Sequence, residues 1–237
     1  MEKVQSIKYG RISLFFVAIL VGVAFGFYKS YIIFFPSFSN FQFVDHFHGA
    51  MMLIWLLFLI IQPLLIKTGR IQIHKAIGRT SYIVAPLLAI SIFLVARLQY
   101  HKFLATTPLK EATAVIGLSI PPLIAFAIFY SLAIANKGNT PSHLRYMIAT
   151  ALLMIPPGIG RVLMNYFHVP FPVAVSSTYY FTIAIAAIFL AFDVIKKRNY
   201  RPNMIVLVVL VLTVFVWEIR YSDAWQATGK LIARWCF

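Results

Sequence analysis

Residues 43–66 read FVDHFHGAMMLIWLLFLIIQPLLI. From Met51 to Ile61 every side chain is apolar. A helix that crosses a bilayer needs about 20 mostly apolar residues, and 46–66 supplies one. Asp45, His46 and His48 stand at its mouth, where they close a helix end, hold a ligand or bind a metal. Six further runs have the same character, at 12–34, 80–98, 112–135, 145–164, 177–195 and 203–220. Turn and charge signals separate them, among them PSFSN, KTGRIQ, NKGNTPS and KKRNYRPN.

The chain has 237 residues, of which 61% are hydrophobic and 11% charged. Mean hydropathy is +0.86. A soluble domain of this size needs far more polar surface. The expected fold is therefore all-α, an integral membrane bundle of seven transmembrane helices over residues 1–220. The first run has a basic start, and Ala24-x-Gly26 imitates a signal-peptidase site. Its length, continued through Tyr28–Phe35, predicts a retained span.

Orientation follows from charge. With the N-terminus inside, the inner segments carry Lys3, Lys8, Arg11, Lys67, Arg70, Lys75, Arg79, Lys137, Arg145, Lys196, Lys197, Arg198 and Arg201. These are thirteen of the 21 basic residues. The excess predicts N-in and C-out. The net charge of +15 reads as anchoring on anionic lipid headgroups rather than nucleic-acid binding, because the cations sit between apolar runs. Lone Cys236 excludes an internal disulfide and a Cys-only metal site.

Residues 221–237 form a separate tail. A helical projection puts Tyr221, Ala224, Trp225, Leu231, Ile232 and Trp235 on one side, and Asp223, Gln226, Lys230 and Arg234 opposite. That is the pattern of an amphipathic interfacial helix on the outer leaflet; a docking surface for a partner subunit shows the same pattern.

His46 and His48 point about 160° apart on one helix, so only one of them serves a given site. His48 shares a stripe with Met52, Trp55, Leu59 and Gln62. On the third helix His74, Gly78, Ser81 and Ala85 share a face whose small residues admit another backbone. On the fifth, His143, Met147, Thr150 and Met154 form a similar stripe. His74 and His143 are expected at the inner end of the bundle. They are either interfacial histidines bonded to carbonyls or a paired haem or transition-metal set. Pro121-Pro122 and Pro156-Pro157-Gly158 fall near mid-membrane, as kinks or as the walls of a cavity. Arg161 follows the second break and needs a counter-charge or a route to the surface. Asp45 and Glu218 are the expected partners, and Asp45, His48, Arg161 and Glu218 form a candidate outer ligand pocket. Alternatively, Asp45 caps its helix and His48 bonds a neighbour.

The motifs HxHGxxM (46–52), Gln62-Pro63, TGRxxxHKxxGR (68–79), HxRYM (143–147) and PPGxGR (156–161) resemble an uncharacterised family of bacterial multi-helix membrane proteins. The resemblance covers residues 43–165 and implies a multi-pass protein of the bacterial cytoplasmic membrane. Its members often carry Arg where this chain has Lys75, and no activity transfers with it. A weaker likeness is to di-haem transmembrane ferric reductases, but here the fourth helix has no histidine.

No lysine in the seventh run supports a retinal Schiff base, and no HExxH, GxSxG or Walker motif occurs. No acidic cluster suggests a calcium or magnesium site. Three roles fit: a non-enzymatic subunit or scaffold of a larger membrane complex, a histidine-dependent haem or metal redox protein, or a transporter or receptor for a small anionic or lipidic ligand.

Overall fold

The computed structural model describes residues 7–237; Lys3 lies outside the described residues. The chain is 83% helical, with no strand among the described residues. Among the described residues nine α-helices form: α1 Tyr9–Tyr28, α2 Phe43–Lys67, α3 Ile71–Leu104, α4 Leu109–Ala135, α5 Thr140–Leu152, α6 Ile155–Phe167, α7 Phe171–Ile195, α8 Arg201–Glu218 and α9 Asp223–Cys236. Helices α5 and α6 together make the fifth crossing, so seven segments are long and apolar enough to span a membrane. Their flanks expose large apolar side chains such as Leu14, Ile83, Ile188 and Leu212. A bilayer covers such flanks; water does not.

Local chemistry sets the boundaries. Gly69 closes α2 with φ +74°, a left-handed conformation that glycine adopts without a Cβ clash. The Arg70 N–H then donates to the Leu65 carbonyl at 2.8 Å. The Asn139 side chain accepts from the Ser142 N–H at 3.2 Å to start α5. Proline stands in the first turn of α5, α6, α7 and α8, where its missing donor costs nothing. The first apolar run ends earlier than expected. Beyond Tyr28 the chain makes a 3-10 turn at Ile32–Phe34, and Tyr31, Phe38 and Phe41 pack around His46.

The two proline pairs behave differently. Helix α4 runs unbroken through Pro121 and Pro122. Pro122 leaves the Leu118 carbonyl without its helical donor, and the buried Tyr179 hydroxyl approaches that oxygen at 3.4 Å. Ahead of Pro156 and Pro157 the fifth crossing does break, between Leu152 and Ile155. The break redirects the chain. Helix α5 packs on α4, α8 and α2, whereas α6 packs on α1 and α7. Around this crossing, α1 neighbours α2, α2 neighbours α3, α3 neighbours α4, and α8 lies against α4 and α7. The core sits between α2, α4 and α5, where Trp55, Leu56, Phe129 and Leu152 are fully buried.

A glycine crossing explains the α1–α6 contact. A Cβ on Gly26 would strike the Gly158 carbonyl, and one on Gly158 would lie 2.9 Å from the Val23 Cα. The backbones touch, as small-residue interfaces in membranes do. Gly78 is no such site: nothing lies within 4 Å of a Cβ there. That corrects the expectation of close backbone approach at this position.

The tail forms α9, but its faces differ from the helical projection. Trp225 and Gly229 pack on Thr113 and Gly117 of α4. Gln226, expected on the polar side, is buried and donates to the Lys110 and Arg220 carbonyls. Tyr221 donates to Glu111 at 2.7 Å. Trp235 remains exposed. A buried amide with two carbonyl partners is satisfied, so one polar residue was enough to rotate the docking face away from the apolar stripe.

Candidate functional site

The stripes of α2, α3 and α5 face one another and α4, and a file of polar contacts follows them through the bundle. Three of its hydroxyls share one arrangement. Ser91 donates to the Leu88 carbonyl at 2.7 Å, Thr150 to Met147 at 2.7 Å, and Ser81 to Gly78 at 2.6 Å. Each hydroxyl has one proton, so each is left as an acceptor. Ser91 therefore accepts from His48 Nδ1–H at 3.1 Å, Thr150 from the Trp55 indole at 3.1 Å, and Ser81 from the Tyr130 hydroxyl at 2.9 Å. The indole of Trp55 also meets the Tyr130 and Phe126 rings edge-on.

At the outer end, in the orientation given by the basic residues, Asp45 caps α2. Its Oδ2 accepts from the Gln42 N–H at 2.9 Å in a reciprocal capping box. Its ion pair is with Lys102, at 3.8 Å. Glu218 is exposed and accepts from Ser176 at 2.8 Å. Neither acid pairs with Arg161, contrary to expectation. Arg161 is half-buried, donates to the Pro157 carbonyl at 2.9 Å one turn back, and lies over the Phe27 ring at 4.0 Å. No carboxylate ion-pairs with it among the described residues. His48 lies within electrostatic reach of Arg161 and Asp45 but hydrogen-bonds to neither. Glu218 stands apart. His48 gives its Nδ1 proton to Ser91, so its Nε2 is an acceptor.

At the inner end His143 Nδ1 donates to the Ala133 carbonyl at 2.8 Å. His74 meets the Gln62 side chain. In the amide orientation that satisfies all its neighbours, Gln62 donates to His74 Nδ1 and to the His74 carbonyl, and accepts from the Gly78 N–H at 3.2 Å. His74 and His143 are close enough to act on each other electrostatically. Their tautomers are complementary: Nε2 carries the proton on His74 and a lone pair on His143. A haem iron takes an Nε2 lone pair from each ring, so His74 would have to move its proton to Nδ1 and give up the Gln62 hydrogen bond to serve as an axial ligand. No group of three His, Cys, Asp or Glu with metal-binding spacing occurs among the described residues.

The sequence reading missed Asp193. It is 3% exposed and takes two 2.7 Å hydrogen bonds from Arg145 and a third, also 2.7 Å, from Asn203. A lone acid in an otherwise apolar sixth run, with arginine and asparagine opening the neighbouring helices, was the available signal. Arg145 was counted as a headgroup anchor and is instead an internal partner.

No protein-family model, curated protein or solved structure matches the chain. The motif likeness over residues 43–165 therefore brings no activity with it.

Proposed function

We propose that this multi-pass membrane protein binds a small anion in the outer half of its bundle, as a receptor or transporter. Arg161 supplies the charge and His48 an acceptor for a hydroxyl on the same ligand. The carrying observation is the Arg161 guanidinium, half-buried within the fifth crossing with no carboxylate in ion-pair range among the described residues. A charge inside a membrane span without a counter-charge costs roughly a few kcal/mol. Its charge-assisted hydrogen bond and aromatic contact return about 2 kcal/mol each at best. A ligand oxygen would supply the rest. Because His48 Nε2 accepts, the favoured class is an anion that also bears an O–H, such as bicarbonate, dihydrogen phosphate or a small hydroxycarboxylate.

The thirteen basic residues at one set of segments support an inside N-terminus in a bacterial cytoplasmic membrane. A role as a subunit of a larger complex ranks second, since the exposed apolar flanks call for lipid alone.

The test is thermal unfolding of the purified chain in mild detergent with bicarbonate, phosphate, acetate or lactate. Saturation at about 100 times Kd stabilises by about 2.7 kcal/mol. Wild type should gain stability from the hydroxyl-bearing anions, Arg161→Gln from none, and His48→Phe less than wild type. If no anion stabilises wild type, or Arg161→Gln responds equally, the reading fails.

A further inference from the structure

A basic groove lies at the inner end, away from Arg161. An open groove of about 680 Å³ runs between the start of α1 and the end of α2, and its walls include Lys8, Gly10, Arg11, Leu14 and Lys67. Gly10 lets the Lys67 ammonium settle against α1; a Cβ there would lie 3.2 Å from its nitrogen. None of the three cations has an ion-pair partner among the described residues. They gather at the N-terminus of α1, which no side chain caps. That terminus adds the positive end of the helix dipole. Like charges held this close call for an anion.

The other flank of the same ridge is apolar. A second groove, of about 290 Å³, is lined by Lys8, Arg11, Ile12, Phe15, Ile148 and Phe189. Lys8 and Arg11 border both. The broken fifth crossing opens this groove: α6 packs along α1, but α5 turns toward α4 and α8. The Phe15 and Phe189 rings meet across the gap at 6.1 Å between centroids. Phe15 lies about 10 Å deeper than Lys8 along α1, which is the direction an acyl chain takes from its phosphate.

The geometry points to a specific site for an anionic glycerophospholipid, its phosphate held by Lys8, Arg11 and Lys67 and one acyl chain lying in the groove of Ile12, Phe15, Ile148 and Phe189. A scattered basic rim attracts anionic membranes without choosing a molecule. Here three cations converge on one groove and an apolar track begins where they end. A free anion would use only the first of these features. The site does not depend on the outer anion reading.

Native mass spectrometry of the full chain, released from micelles holding phosphatidylglycerol or phosphatidylcholine with identical acyl chains, tests it. Wild type should retain phosphatidylglycerol in preference by on the order of tenfold. Arg11→Gln/Lys67→Gln should abolish the preference. Ile148→Trp, which fills the track without changing charge, should lower retention of phosphatidylglycerol. Lys196→Gln/Lys197→Gln removes the same charge elsewhere on the inner rim and should leave the preference intact. If the double variant does not fold, Lys8→Gln is read for the same loss. Equal retention of the two lipids by wild type overturns the proposal. So does an equal loss in the Lys196/Lys197 variant, an unchanged Ile148→Trp, or full displacement of the lipid by millimolar inorganic phosphate.

Discussion

Arg145 and Asp193 form a two-pronged ion pair between α5 and α7, with Nε to Oδ2 and a terminal nitrogen to Oδ1 each at 2.7 Å. The side chains are 13% and 4% exposed. Asn203 of α8 donates to the same carboxylate, so three helices are fastened at one point. Fork-to-fork geometry fixes orientation as well as distance. Removing one member strands the other, at a cost of roughly 3–5 kcal/mol. Arg145→Leu and Asp193→Leu are each expected to lose about that much in thermal unfolding. The double variant should lose clearly less than the sum. Additive losses would mean that the pair contributes no coupling.

The α1–α6 crossing gives a second expectation. Gly158→Ala places a methyl 2.9 Å from a backbone carbon, which no side-chain rotation relieves. Overpacking of this kind costs about 1–3 kcal/mol. Gly49→Ala is the matched control, since nothing lies within 4 Å of a Cβ there. It should be neutral or stabilising by up to about 1 kcal/mol through helix propensity. Equal destabilisation by both would show that the crossing is looser than described.

The crossings were legible in sequence, whereas the partners of their polar residues were not. Seven crossings follow from apolar length alone, because a bilayer imposes one thickness on every span. The inward stripes of His48, His74 and His143 follow from helical period, and the Ser91, Gln62 and Ala133 contacts carry them into three dimensions. Partner choice does not follow. Asp45 looked free for Arg161, yet the α2 cap and Lys102 engage it. The two proline pairs read alike, but only one breaks its helix. The difference includes the hydroxyl that Tyr179 brings from another helix to Leu118, which no local pattern encodes. The tail rotated because Gln226 found two carbonyls, a fact of tertiary position.

Tyr31 lies outside the spans, and its hydroxyl meets His46 Nδ1 at 2.5 Å. Burial first, and the Asp45 carboxylate second, push its ionisation above the usual value of 10. The folded state thus holds the phenol proton to higher pH than the unfolded chain does. Between the two pKa values the unfolded state binds fewer protons, so stability falls as pH rises. The contribution is fully present below about pH 10 and is lost above it. Wild type should therefore lose more stability between neutral and strongly alkaline pH than Tyr31→Phe. An identical decline in both proteins would remove Tyr31 from the account.

The last expectation concerns the inner histidines. Gln62 gives a proton to His74 Nδ1 and thereby assigns the ring proton to Nε2. His143, giving its Nδ1 proton to Ala133, presents a bare Nε2. One nitrogen is a donor and the other an acceptor, the pairing that a direct or water-bridged staple between α3 and α5 requires, and such a staple is the expectation. Gln62 is the residue that sets this polarity. In Gln62→Leu, His74 is free to move its proton to Nδ1 and bond a nearby carbonyl, and two acceptors would then face each other. Nitrogen NMR of the histidine-labelled protein reports the tautomer directly. Wild type should show His74 protonated at Nε2 and His143 at Nδ1, and Gln62→Leu should convert His74 to the Nδ1 form. His74→Ala and His143→Ala should each lower the unfolding midpoint by a similar amount, with little further loss on combining them. Opposite tautomers in wild type, or fully additive losses, would break the staple.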